Sequence, residues 1–444
     1  MAPFSCRTVI SPSTSSFFFF FSRNQKRPFQ SWMPRKPILN IIPINATFSG
    51  AGSSDMFAVS DAVCKDETTS FGFKNLMETF WVDVQEAEER PLKLKLISEP
   101  LSTASSRLQN VAIRVELRNG CVGWGEAAAT PATSAEAALA KAKEACEFLR
   151  RSSPLTLNLV LEEIGYILHG QEYASFRAGV EMALIDAVAN SIDVPLWRLF
   201  GGVSNSLTTS RTIPMVSPAK SSELASKYYG KGFNTIRFEM GLNLHAELEV
   251  MKAVQIAQPH CLFILDANGK YTSEEAIMVL EKLHEMGISP VLFEQPVHKD
   301  DWNGLAYVGN VARDKYGIHV GADESCQTMN DVQRVVKENV VDFINIKLAK
   351  FGVLDTLQVI EVARKSGLNL VIDSMVATRL ATGFAGHLAC GLGCFKYVNL
   401  DGPLMLSDDP VFGGYEVSGA VYKFTNGRGL GGFLKQDKIS HNSK

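Results

Sequence analysis

Leu262-Phe263-Ile264-Leu265-Asp266-Ala267-Asn268, then Thr272-Ser273-Glu274-Glu275, then Gly287, then Val291-Leu292-Phe293-Glu294-Gln295-Pro296 spell one complete strand–helix–strand unit. The two apolar runs are short and hydrophobic on both faces, as strands of a parallel sheet must be. Thr272 to Glu275 is a capping box that starts a helix, and Gly287 sits where a C′ glycine closes one. The same texture runs outward in both directions. Further strands are predicted over Thr209–Met215, Thr235–Met240, His319–Ser325, Asp342–Lys347, Leu368–Met375 and Tyr397–Asp401, with Gly367 closing a helix over 354–366. Eight strands joined by helices predict an α/β protein built on a parallel barrel, with a doubly wound open sheet as the rival architecture.

Upstream of residue 206 the pattern differs. Phe80–Val84, Leu92–Leu96 and Val111–Leu117 alternate with period two, and Gly120 and Gly123 follow them. These predict a small antiparallel meander, and helices are predicted over 134–150 and 175–192. The reading divides the chain into a transit peptide (1–54), a linker (55–77), an α+β capping domain (78–205) and a barrel (206–401). A Gly- and aromatic-rich segment (402–435) is predicted to return to the cap, followed by a tail (436–444).

The chain has 444 residues and a net charge of −3. Its first 54 residues carry six basic residues and no acid, leaving 38 basic against 47 acidic residues in the rest. A body this acidic excludes nucleic acid as a partner, because phosphate contacts need clustered Lys and Arg. The longest apolar run near the start, Phe17 to Phe21, is far short of the ~20 residues that cross a bilayer. A Ser-rich, basic, acid-free leader has the composition of a transit peptide, for a chloroplast before a mitochondrion; an unaddressed tail would leave the protein in the cytoplasm. Eight cysteines without a CxxC pair read as reduced core thiols.

Asp266, Glu294 and Asp323 each end a predicted strand, spaced by 28 and 29 residues, one strand–helix unit apiece. In a barrel these spacings set three carboxylates side by side at the face where active sites form. One acid at a strand end reads as a helix N-cap; three in register repel unless a divalent cation neutralises them, and all-oxygen ligation favours Mg²⁺. Lys347 ends the next strand and points to the same pocket, where partial desolvation beside a metal predicts a lowered pKa and an acid/base role. On the second strand Arg237 and Glu239, two apart, face one side, and Asn399 and Asp401 repeat that spacing on the last. Lys270 reads as a loop lysine near the mouth.

The ordered set Gly123-Trp124-Gly125-Glu126, Leu265-Asp266-Ala267-Asn268, Phe293-Glu294-Gln295-Pro296, Ala322-Asp323-Glu324-Ser325, Ile346-Lys347 and Leu400-Asp401-Gly402-Pro403 resembles the enolase superfamily. Within it the chain is similar to the muconate-lactonising subgroup, and most similar to the dipeptide epimerases, over about residues 78–435. The resemblance implies a modified (β/α)₇β barrel with a capping domain. It also implies one Mg²⁺ per subunit on Asp266, Glu294 and Asp323, and an isomerase that removes and returns the α-proton next to a carboxylate through an enediolate. Thr212, Met375, Asn399 and Asp401 would line the dipeptide pocket, Asp401 taking the free ammonium, under a cap loop around Leu101 to Leu108. The implied partner is a small dipeptide or amino-acid-derived carboxylate, in a monomer or homo-oligomer.

Such epimerases carry a lysine on each face of the α-carbon. One matches Lys347; the other is the second lysine of a Lys-x-Lys pair whose positions here hold Arg237 and Glu239. Asn399 replaces the first acid of an Asp-x-Asp, and Asp373 adds a carboxylate at a spot usually small. Three readings remain open. One is epimerisation with Lys347 and Glu239, another a one-base lyase or cycloisomerase using Lys347, and the last a metal-binding homologue without catalysis in which Arg237 and Glu239 pair.

Overall fold

The computed structural model describes residues 71–97, 107–129 and 135–435. The segment 1–54 and most of the 101–108 cap loop lie outside the described residues.

The cap opens with helix α1 (Phe71–Thr79), which runs into the stretch read as a linker. Phe73 anchors it, buried edge-on against the Phe200 ring, and Leu76 and Met77 pack beside it on the core, ordering a segment whose pattern is too short to read. Strands β1 (Val84–Lys95), β2 (Arg107–Leu117) and β3 (Val122–Ala127) form an antiparallel sheet in that order. A separate short strand does stand at Trp81–Val82, paired with Leu155–Thr156, whereas the strand expected at 92–96 is the end of a longer one. Gln85 to Glu89 are mostly charged and hide the continuity of β1, whose edge position tolerates Pro91 and a bulge near Val84. Helices α2 (Ala135–Arg151), α3 (Leu157–Ile167) and α4 (Ala174–Ser191) cover the sheet. Helix α3, unread in the sequence, is N-capped by Thr156 and buries Leu157, Val160, Leu161 and Ile164. Gly123 and Gly125 let β3 lie directly on α4. A Cβ at either would stand 2.1 or 2.0 Å from a carbonyl oxygen of that helix.

From residue 211 the chain forms eight parallel strands, each hydrogen-bonded to the next: β4 (Arg211–Ile213), β5 (Thr235–Glu239), β6 (Leu262–Asp266), β7 (Leu292–Glu294), β8 (Val320–Ala322), β9 (Phe343–Lys347), β10 (Asn369–Asp373) and β11 (Tyr397–Asn399). Seven helices alternate with them: α5 (Pro218–Tyr229), α6 (Leu244–Ala257), α7 (Ser273–Glu285), α8 (Trp302–Val311), α9 (Met329–Glu338), α10 (Val353–Lys365) and α11 (Arg379–Leu392). Ser210 N–H donates to the Val398 carbonyl at 2.8 Å and so joins the first strand region to the last. The architecture is the (β/α)₇β barrel. The capping box at Thr272 and the glycine at 287 (φ +67°) stand where the sequence puts them.

Period-two alternation explains why the site forms at one end. Ile264, Leu292, Phe343 and Val371 pack together as an apolar floor, with Tyr397 against them. Two residues further along the same strands, on the same inward face, stand Asp266, Glu294, Asn345, Asp373 and Asn399, a polar ring above that floor. The segment after residue 401 crosses back to the cap: Ile97 N–H donates to the Met405 carbonyl and Leu196 N–H to Gly429. No described helix is long and apolar enough to cross a membrane.

Candidate active site

Asp266 and Glu294 are register partners on β6 and β7, and Asp266 is likewise the partner of Glu239 on β5. Asp323 follows β8 directly, its N–H donating to Gln295 Oε1 at 3.0 Å. All three carboxylates are buried. The expected trio is therefore assembled at neighbouring strand ends, but each member already has a cation.

Arg237 accounts for two of them. Its side chain is buried inside the barrel. Nη2 donates to Asp266 Oδ2 and stands 3.7 Å from Glu294 Oε1, and Nη1 stands 3.5 Å from Asp373 Oδ2 across the mouth. Burial alone would lower the Arg237 pKa, but Asp266, Glu294 and Asp373 outweigh it and hold the guanidinium charged. Asp323 has two lysines. Lys347 Nζ donates to Oδ2, and Lys350 Nζ, unforeseen in the sequence, to Oδ1 at 2.6 Å and to the Asp323 carbonyl at 2.9 Å. Burial would raise Asp323; Lys347 and Lys350 more than offset it and hold the carboxyl well below its ordinary range. Burial, with Asp266 and Asp323 nearby, pushes Glu294 up despite Arg237.

Lys347 departs from expectation. Burial lowers its pKa, yet Asp323, Asp373 (3.5 Å) and Glu294 raise it further, so the net direction is upward. A desolvated lysine in contact with two carboxylates is held as ammonium. Glu239 lies exposed on the rim at the end of β5, two residues beyond Arg237 and unpaired with it. That geometry corrects the idea of an inward Arg237–Glu239 pair. Lys270 donates to the Met240 carbonyl at 3.2 Å and is tied to the loop.

Asp373, at the end of β10, is the hub of the ring. Its Oδ1 accepts from Asn399 Nδ2 (2.9 Å) and Ser374 N–H (2.7 Å), and its Oδ2 faces Arg237, Lys347 and Asn345. Asn399 Oδ1 accepts from Ser210 Oγ at 2.6 Å. Asp401 Oδ2 accepts from Thr212 N–H at 2.9 Å and from Arg211 Nη1 at 3.2 Å. Met375 follows β10, half-buried. The cap reaches this rim through Glu126. Its buried carboxylate accepts from Thr378 N–H, Thr378 Oγ1, Ala381 N–H and Asn110 Nδ2, and so caps α11 just beyond Met375. A cavity of about 350 Å³ opens at the other end of the barrel among Ser206, Ser210, Thr235, Lys396 and Val398 and is lined by no acid.

Do these residues fit a divalent cation? Among the described residues no three metal-ligating side chains stand around one position, because Arg237, Lys347 and Lys350 hold the carboxylates. The donor set nevertheless suits Mg²⁺: three carboxylates from adjacent strand ends, all oxygen. Thr212 Oγ1, Arg237 Nε, Glu324 Oε2, Asn345 Oδ1 and Ser374 Oγ, all in or beside the ring, are buried polar atoms without partners. Such atoms belong to a site built for a polar ligand.

The residues from 77 to 201 match the mandelate racemase/muconate lactonizing enzyme N-terminal domain, and those from 220 to 438 match the enolase C-terminal domain-like family. The chain belongs to this family of the enolase superfamily, as its fold and carboxylate ring require. It is 59% identical over 379 residues to an L-Ala-D/L-amino acid epimerase of Populus trichocarpa, covering 84% of this chain and 90% of that one. The substrate-liganded L-Ala-D/L-Glu epimerase of Bacillus subtilis superposes with a TM-score of 0.74 at 28% identity, covering 79% of this chain and 99% of that one. The dipeptide epimerase of Enterococcus faecalis complexed with Mg and L-Leu-L-Tyr gives 0.70 at 25% identity, over 79% and 99% of the two chains.

Proposed function

We propose that this protein removes and returns the α-proton next to the carboxylate of a dipeptide, an isomerase of the dipeptide-epimerase type. The observation that carries the reading is the ring itself. Lys347 is poised at the end of β9 beside three buried strand-end carboxylates, in a chain whose relatives bear epimerase names.

Asp266, Glu294 and Asp323 would hold Mg²⁺, which when bound supplies positive charge against the negative charge developing on the substrate carboxylate. Lys347 serves as acid and base on one face. It begins as ammonium and, as its hold on Asp323 loosens, gives its proton to the α-carbon on the face opposite Glu239. Glu239 occupies the place of the second base, with a reference pKa of about 4.3 against about 10.4 for lysine. It is the weaker base and, once protonated, the stronger acid, so proton removal from its face is the slow direction. Arg237, locked among carboxylates, stays protonated and takes no part in proton transfer.

That locked guanidinium favours a second reading in one respect. If Glu239 is idle, Lys347 alone supports one-base chemistry, a lyase or cycloisomerase step that gives a product of new mass. Incubating the protein with Mg²⁺ and a dipeptide library in D₂O separates these outcomes. Epimerisation gives α-deuterium uptake with inversion, and a lyase gives a mass change. No uptake in any member refutes the proposal.

The basic, acid-free first 54 residues support delivery to the chloroplast, with the mitochondrion as alternative. A fluorescent fusion of residues 1–60 that stays in the cytosol would overturn this.

A further inference from the structure

The residues that the resemblance assigns to a substrate ammonium carry no charge free to receive one. Asn399 is neutral, and its amide is used at both ends, by Ser210 and by Asp373. Asp401 is buried and already paired with Arg211 and the Thr212 amide. Arg211 is itself fixed: its guanidinium lies 5.2 Å over the Tyr228 ring, and Nη2 donates to the Leu404 carbonyl at 3.3 Å. The next carboxylate, Asp373, is committed to Arg237 and Lys347. An ammonium entering here would lose its water and find both nearby acids, Asp401 and Asp373, already paired.

What the same spot does offer is neutral. Thr212 Oγ1 and Ser374 Oγ are buried and unpartnered, and they flank the Asp401–Gly402 turn. The Thr212 amide binds Asp401, and Ser374 Oγ lies 3.4 Å from where a Cβ on Gly402 would stand. A hydroxyl both donates and accepts, so the pair suits the C=O and N–H of an amide.

We infer that this subsite takes a neutral acyl group in place of an ammonium, so that the substrates are N-acylated amino acids or N-blocked dipeptides. This rests on the function proposed above and narrows its substrate class. Arg211 is then a specificity residue that neutralises Asp401.

Calorimetric titration of the full chain with Mg²⁺ present, using L-Ala-L-Glu and N-acetyl-L-Ala-L-Glu, tests it. The acetylated peptide binds at least about tenfold tighter. Arg211→Met frees Asp401 and shifts the ratio about tenfold or more toward the free amine, whereas Arg211→Lys keeps the wild-type order. Should Arg211→Met fail to fold, Asn399→Asp supplies the missing charge and shifts the ratio the same way. Equal or tighter binding of the free amine to the wild type, or no binding of the acetylated peptide at millimolar concentration, overturns the inference. The α-deuterium assay reads separately. Acyl preference without exchange sinks the proposed reaction and leaves the subsite standing, while exchange with preference for the free amine does the reverse.

Discussion

Arg237→Met removes the one cation that touches Asp266, Glu294 and Asp373 together. Methionine approximates the aliphatic stem, so the loss is mainly of charge. Breaking a buried pair by deleting one partner costs about 3–5 kcal/mol, because the other charge is left uncompensated. For a folded body of this size that corresponds to a melting midpoint lower by about 4–6 °C in EDTA. Magnesium should then help the variant more than the wild type. With the guanidinium gone, a divalent ion faces no resident competitor, and occupancy at a hundred times Kd adds about 2.7 kcal/mol. Thermal melts followed by circular dichroism, in EDTA and across a Mg²⁺ series, measure both quantities for both proteins. An unchanged midpoint in EDTA would mean the three contacts contribute nothing. An equal magnesium response in the two proteins would mean Arg237 does not compete for the ring.

The other predictions concern bases, capping and pH. Lys347→Met lowers α-proton exchange by about 10²-fold or more, read as deuterium uptake, while Glu239→Gln keeps exchange from the Lys347 face but loses inversion; a Glu239→Gln enzyme that still racemises would remove Glu239 from the mechanism. Glu126→Gln turns one acceptor at the α11 cap into a donor facing backbone amides and costs about 1–3 kcal/mol, measured as a lower urea midpoint. Glu181 on α4 accepts the Val353 amide at the start of α10, and burial pushes its carboxyl up to about 7. Between its ordinary value near 4.5 and about 7 the unfolded chain ionises while the folded one stays protonated. Its contribution to stability therefore falls as pH rises through that window, by about 3 kcal/mol at most, and levels off above it. Glu181→Gln should flatten the melting profile between pH 5 and 7.5; superimposable profiles would refute the assignment.

The carboxylates were legible because their information is local. Asp266 and Glu294 close apolar runs, and Asp323 directly follows one. Barrel topology turns an interval of one strand–helix unit into lateral adjacency. Lys347 was legible for the same reason. The cations were not. Arg237 meets Asp373 across the mouth, from β5 to β10, and only closure of the barrel brings them together. Lys350 reaches Asp323 from the short helix Leu348–Phe351, three residues past a strand end, where a sequence reading expects a solvated lysine. Arg211 had an outward position beside a pocket residue, and nothing in its neighbours signals that its guanidinium turns to Asp401. In the cap, the charged stretch of β1 concealed a continuous strand, and α1 is held by contacts distant in sequence, Phe73 on Phe200 among them.

Arg237 and Asp373 make physical sense only as a pair. A guanidinium reaches further than an ammonium and donates in two directions, so it can serve Asp266 on one side and a carboxylate across the barrel on the other. Without Asp373, Arg237 would face Asp266 and Glu294 with one arm and apolar floor with the other. Without Arg237, Asp373 would add a fourth buried carboxylate to three, with only Lys347 to share. Together the ring holds four carboxylates against the three cations Arg237, Lys347 and Lys350, leaving a single excess negative charge. At the binding side Arg211 matches Asp401 and Asn399 stands as an amide, so neither position offers the charge an ammonium would need. The mouth thus holds two sets of paired charges, one at the proton-transfer side and one at the binding side. Each keeps its buried carboxylates in contact with a cation and so limits what the site can accept.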